Sequence, residues 1–145
     1  MTTDDNHFMR LAIKEAEKAF EANEVPIGAL IVSQNQIISR GYNQTQLLND
    51  ATAHAEIIAL TSAFAFLNSK YLKECTLYVT VEPCAMCAGA LRWAQLRRIV
   101  FGAYEPKCGF SIYEPSILHP KTEIIGGIEE ASCASLMTAF FKNKR

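Results

Sequence analysis

The spacing of apolar residues changes several times along the chain, and each change marks an element. In residues 5–22, Phe8, Leu11, Ala12, Ala16, Ala19 and Phe20 share one stripe while Lys14, Glu17, Lys18 and Glu21 lie largely off it. That spacing predicts an amphipathic helix, capped by Asp4 or Asp5 and ended by Asn23 and Pro26. Ile27–Val32 is a short, continuous, β-branched run and predicts a buried strand; Ser33–Gln36 turns it into a second strand over 37–42. After a polar loop from Asn43 to Asp50, Thr52 or Asp50 can cap a helix whose Ile57, Ile58, Leu60, Phe64 and Leu67 are apolar nearly all round. Such a helix is expected to be buried between the sheet and a neighbour. Strands follow over 76–80 and 98–102, separated by a helix from about Cys84 to Ala94 with Pro83 near its first position. Residues 104–121 carry Pro106, Gly109, Pro115 and Pro120 and read as a long irregular loop, a length usually kept for function. A short strand over 122–125 and a helix over 129–141 close the pattern. The order α-β-β-α-β-α-β-β-α predicts an α/β fold, a three-layer α-β-α sandwich around a mixed five-stranded sheet.

Composition narrows the class. At 145 residues the chain is expected to be one domain, residues 1–145, and half its residues are apolar with a fifth charged, as in a globular protein. No apolar run reaches the ~20 residues of a membrane span, and Asp4 and Asp5 ahead of Phe8 argue against a signal peptide. A cytoplasmic setting is expected, in which Cys75, Cys84, Cys87, Cys108 and Cys133 are thiols or ligands rather than disulfides. Net charge is −1; residues 1–72 hold five Lys/Arg against eight Asp/Glu, and residues 73–145 nine against seven. This permits a basic patch without announcing a nucleic-acid binder.

The chemistry gathers in two short runs, His54-Ala55-Glu56 and Pro83-Cys84-Ala85-Met86-Cys87. Imidazole nitrogen and thiolate sulfur are donors zinc prefers. Cys84 and Cys87 are one helical turn apart, so both sulfurs can face one ion. Three protein ligands leave a position for water, as in catalytic zinc sites, whereas structural sites are closed by four. His54 and Glu56 would project about 200° apart on a regular helix. They can therefore share a site only beyond its N-terminal end. Two helix N-termini aimed at one ion would favour thiolate, and Glu56, left off the metal, is the candidate proton carrier.

Plainer readings compete. A lone His on an apolar helix is commonly a core residue, and a lone CxxC is as often redox-active or structural. A closed zinc site could take a fourth ligand from Cys75, Cys108, Cys133 or His119. Cys75 and Cys133 read as core, Cys108 as a tolerated thiol in the long loop, and Lys142, Lys144 and Arg145 as a solvated terminus. Asn43 alone is a turn residue, although it faces the loop leading into His54.

His-x-Glu followed by Pro-Cys-x-x-Cys is the signature of zinc nucleobase deaminases. Glu24–Ala29, Thr52–Ile57 and Leu77–Ala90 further resemble the bacterial tRNA-specific adenosine deaminases of the zinc-dependent cytidine/deoxycytidylate deaminase superfamily, and the similarity continues through Val100–Ala103 to Phe140-Phe141. The resemblance implies a cytidine deaminase-like fold and a hydrolase that converts adenosine to inosine at the wobble position of a tRNA anticodon. It implies one zinc ion per chain on His54, Cys84 and Cys87, with Glu56 moving protons. Asn43 would hydrogen-bond the base, Val25 and Pro26 would line its pocket, and the Ala55 backbone would orient it. A tRNA anticodon stem-loop partner and a homodimer are implied as well. After Gly102-Ala103 many members read Arg-Asp, where this chain has Tyr104-Glu105-Pro106.

Two other functions share these residues. A deaminase of free guanine, cytosine or their nucleosides would use the same catalytic set. A non-catalytic zinc-binding subunit would have no use for Glu56.

Overall fold

The computed structural model describes residues 4–144. Its elements run α1 (Asp5–Glu21), β1 (Gly28–Ser33), β2 (Gln36–Tyr42), α2 (Ala55–Leu67), β3 (Cys75–Val81), α3 (Ala85–Ala94), β4 (Arg98–Ala103), a single 3-10 turn (Phe110–Ile112), β5 (Glu123–Ile125) and α4 (Glu130–Lys142). The strands form one mixed sheet ordered β2-β1-β3-β4-β5. β1 is antiparallel to both β2 and β3, whereas β3, β4 and β5 are parallel. This is the expected three-layer α/β architecture.

Period-two alternation on the central strands builds both cores. Ala29, Ile31, Leu77, Val79, Ile99 and Phe101 point to one face and pack with α2 and α3. Leu30, Val32, Tyr78 and Val100 point to the other and pack against Phe8, Met9 and Ala12 of α1 and Cys133 of α4. Strands buried on both faces need apolar side chains at every position, which is why the runs read as continuous. Gln34 and Asn35, both at positive φ, make the tight β1–β2 turn. The Asp4 side chain accepts from the His7 N–H and caps α1. At the start of that helix, Asp5 takes hydrogen bonds from the Tyr78 hydroxyl at 2.7 Å and Arg98 Nη2 at 2.8 Å, locking α1 to the sheet.

α2 departs from expectation twice. Its N-cap is His54, in extended conformation, and not Thr52 or Asp50; the Thr52 hydroxyl and N–H both turn back to Asp50. Its apolar circumference is not enclosed either. The buried face consists of Ala55, Glu56, Ala59, Leu60 and Ala63, while Phe66 is 68% exposed. Small residues let the helix lie close on the sheet, and a Cβ on Gly41 would come within 2.6 Å of the Ala55 carbonyl. The larger apolar side chains are left on the outer flank.

Candidate active site

α2 and α3 each begin at the end of the sheet where the central strand β3 finishes, and each begins on a metal-ligand type. His54 is the N-cap of α2 and Cys84 the N-cap of α3, both in extended conformation. Because His54 is not yet helical, the 200° divergence expected from a regular helix does not apply, and Glu56 and His54 can serve one site. Pro83 lies just ahead of the Cys84 cap rather than at the first helical position.

The three donors converge. His54 Nδ1 lies 3.4 Å from Cys87 Sγ and 3.7 Å from Cys84 Sγ. Bonds of about 2.0 Å to nitrogen and 2.3 Å to sulfur at a tetrahedral angle place N and S about 3.5 Å apart. The donor set thus fits zinc in kind and spacing, with ligand atoms that all lie within 4.8 Å of one another. Among the described residues no fourth His, Cys, Asp or Glu joins this group. Cys75 and Cys133 are buried in the core, Cys108 is exposed, and the Nδ1 of His119 accepts from the Lys121 N–H. The arrangement has the three-ligand form of a catalytic centre.

Electrostatics within the group are consistent with metal chemistry. Hydrogen bonds from Cys87 and His54 pull the Cys84 thiol down to about 3. The Cys84 partner and burial raise the Cys87 thiol in turn. Glu56 is 3% exposed, and burial pushes its carboxyl up to about 7, with the Cys84 charge adding to the effect. A carboxyl poised near neutrality suits a group that both takes and gives a proton.

The base-contacting candidates are linked through the backbone. The Asn43 N–H donates to the carbonyl of Ile27, the residue after Val25-Pro26, at 3.1 Å. Asn43 Oδ1 accepts from the Ala55 N–H at 2.8 Å, which ties this segment to the His54 turn. The Ala55 N–H is therefore committed to Asn43 rather than free to orient a base. Pro26 and Asn43 are buried, and Val25 is half-buried.

Two buried carboxylates in this region were not read from the sequence. Glu24 accepts from the Gln46 and Leu47 N–H groups, and Glu82 from those of Glu105 and Ser111. Each directly precedes a site segment, Val25-Pro26 or Pro83-Cys84. The sequence shows only an isolated carboxylate one or two residues ahead of a proline, a pattern too common to mark a role.

Residues 2–103 match the zinc-binding region of cytidine and deoxycytidylate deaminases. The chain is 41% identical to a tRNA-specific adenosine deaminase of Agrobacterium fabrum, covering 96% of this chain and 95% of that one. A solved structure described under A-to-I editing by tRNA:A34 deaminases at the wobble position superposes with a TM-score of 0.84 at 41% identity, covering 90% of this chain and 98% of that one. A guanine deaminase structure from Bacillus subtilis aligns with a TM-score of 0.67 at 35% identity, over 73% of this chain and 67% of that one. With His54, Cys84 and Cys87 clustered as the signature requires, the chain belongs to the zinc-dependent cytidine and deoxycytidylate deaminase family.

Proposed function

We propose that this chain is a hydrolase that deaminates adenosine to inosine at the wobble position of a tRNA anticodon, and that residues 1–145 act as one zinc-dependent deaminase domain. The observation that carries this reading is the near full-length 41% identity to a tRNA-specific adenosine deaminase, joined to the converging His54, Cys84 and Cys87 donors with the Glu56 carboxyl beside Cys87.

His54, Cys84 and Cys87 hold the metal. Zinc bound there supplies Lewis acidity, which lowers the pKa of water. Glu56 accepts a proton from water as the water oxygen bonds to C6 of the adenine ring, and it passes that proton to the ring nitrogen N1. It then carries the second water proton to the exocyclic amine. The C6–N bond breaks, ammonia leaves, and the C6 carbonyl of inosine remains. With Oδ1 occupied by Ala55, Asn43 offers its Nδ2 amide to the base, beside Val25 and Pro26.

Partner and location follow the same reading. The substrate is a tRNA anticodon stem-loop, and the setting is the cytoplasm; among the described residues no helix is long and apolar enough to cross a membrane. A homodimer forms through the outer flank of α2 and α3. There an apolar groove of about 470 Å³ lies between Ile57, Phe64, Tyr71 and Trp93, and Trp93 is 77% exposed. Apolar side chains exposed together on one face mark an interaction site.

The guanine deaminase likeness supports a second reading, a free-base substrate. Purified protein incubated with an anticodon stem-loop bearing adenosine, and separately with guanine, cytosine and adenosine, decides between them. Inosine in the stem-loop is expected. Ammonia from a free base with none from the RNA would overturn the tRNA reading.

A further inference from the structure

Glu82 ends β3 on the way to the Cys84 turn. It is only 5% exposed, and among the described residues it has no Lys or Arg partner. Each of its carboxylate oxygens instead takes one backbone N–H from the loop after β4. Oε1 accepts from Glu105 and Oε2 from Ser111, both at 2.9 Å. A buried carboxylate is costly unless such donors satisfy it, so the loop and Glu82 depend on each other. The Phe110 N–H donates to the Pro83 carbonyl at 2.9 Å, and Cys84 bridges to Gly109, so the same loop segment touches the metal-ligand turn directly. A Cβ at Gly109 would fall 2.4 Å from Glu82 Cδ, which shows how closely the loop is drawn onto the carboxylate. Outward from this joint the loop displays Tyr104, 54% exposed, together with Ile112 and Tyr113.

We propose that Glu82 is a positioning residue for substrate, fixing residues 104–113 against the Cys84 turn so that their exposed apolar and aromatic side chains form a preset wall for the nucleotides flanking the target adenosine. The inference rests on the RNA reading of the site. Flanking nucleotides bind to aromatic side chains by stacking, which depends on where the rings are held and not on sequence. An unbraced loop must be ordered by each incoming substrate, which weakens binding and leaves the chemical step alone. Gln cannot replace Glu82, because its Nε2 is a donor facing a backbone N–H.

The test uses Glu82→Gln in the full, zinc-loaded chain. The KM for the stem-loop should rise about tenfold or more, the scale of one charge-assisted hydrogen bond, with kcat within about twofold of wild type and zinc content unchanged. Amide exchange at Glu105 and Ser111 should accelerate by a similar factor, while Leu77 and Val79 stay protected. Gly109→Ala strikes the same joint from the loop side. Its φ of −68° suits alanine, so its effect comes from contact rather than strain. It should raise KM alike, and the double variant should be no worse than about either single one. Lost zinc, a fall in kcat at constant KM, unchanged exchange or multiplying KM factors would overturn the proposal. Exchange is read without substrate, so a wild-type chain inactive on RNA would refute the substrate reading while the brace is still decided.

Discussion

Asn43 Oδ1 accepts a 2.8 Å hydrogen bond from the backbone N–H of Ala55, the first residue of α2. An asparagine twelve residues upstream thus performs the service a capping side chain normally gives, and the His54 turn is fixed by the same contact. Aspartate keeps this acceptor but lacks the amide donor. Asn43→Asp should therefore stay within about 0.5 kcal/mol of wild type in urea unfolding, keep its zinc and lose about 100-fold in kcat/KM. Asn43→Ala should lose activity and about 1 kcal/mol as well. Equal stability losses for the two variants would show that the cap is not the structural half of the role.

Glu56→Gln removes the proposed proton carrier and preserves shape. Zinc content and thermal unfolding should match wild type, with kcat reduced by about 10²–10⁴ or more in a stem-loop assay. Wild-type turnover would remove Glu56 from the mechanism.

Cys87→Ser tests the ligand set by metal analysis. The variant should bind far less zinc than wild type after dialysis, whereas Cys108→Ser should retain a full equivalent. The fifth cysteine, Cys133, lies in the other core and should be neutral toward metal.

The Asp5–Arg98 joint provides a pH test away from the site. Burial opposes ionisation of Asp5, but hydrogen bonds from Arg98 and Tyr78 and the Arg98 charge outweigh it, holding the carboxyl below its ordinary value. A carboxyl depressed in the folded state stabilises above its unfolded pKa of about 3.9, and that stabilisation is lost as pH falls through the lower folded value. Asp5→Asn should cost about 1–2 kcal/mol at pH 7 and flatten the stability profile below about pH 4, measured by urea unfolding.

The α2–α3 flank makes a prediction about assembly. Trp93→Glu should turn a sedimenting dimer into a folded monomer, because it places a charge in the centre of the apolar patch. A dimer of undiminished affinity would place the interface elsewhere.

Much of the fold is legible in the sequence. Continuous apolar runs mark the central strands, and residue type with spacing marks His54, Cys84 and Cys87, the three donors that the fold brings together. The buried face of α2 was misjudged because alanine, not the conspicuous Ile and Phe, is what permits close approach to a sheet. The helix cap was missed for a related reason. Thr52 and Asp50 are capping residues by type, but they satisfy each other, and the acceptor comes from the end of β2. Glu24 and Glu82 act on backbone N–H groups that converge only after two loops have folded, so no local pattern marks them.

Glu82 grips the loop through peptide N–H groups, which every residue except proline possesses. At the two donating residues, Glu105 and Ser111, the hold is therefore blind to side-chain identity. Letters at 104–113 other than Gly109 can change while the backbone keeps its course, provided proline avoids positions 105, 110 and 111. Pro106 falls between Glu105 and Ser111 and leaves both donors intact. The zinc centre and the recognition surface beside it can then diverge at different rates, joined by a carboxylate that does not read what it holds.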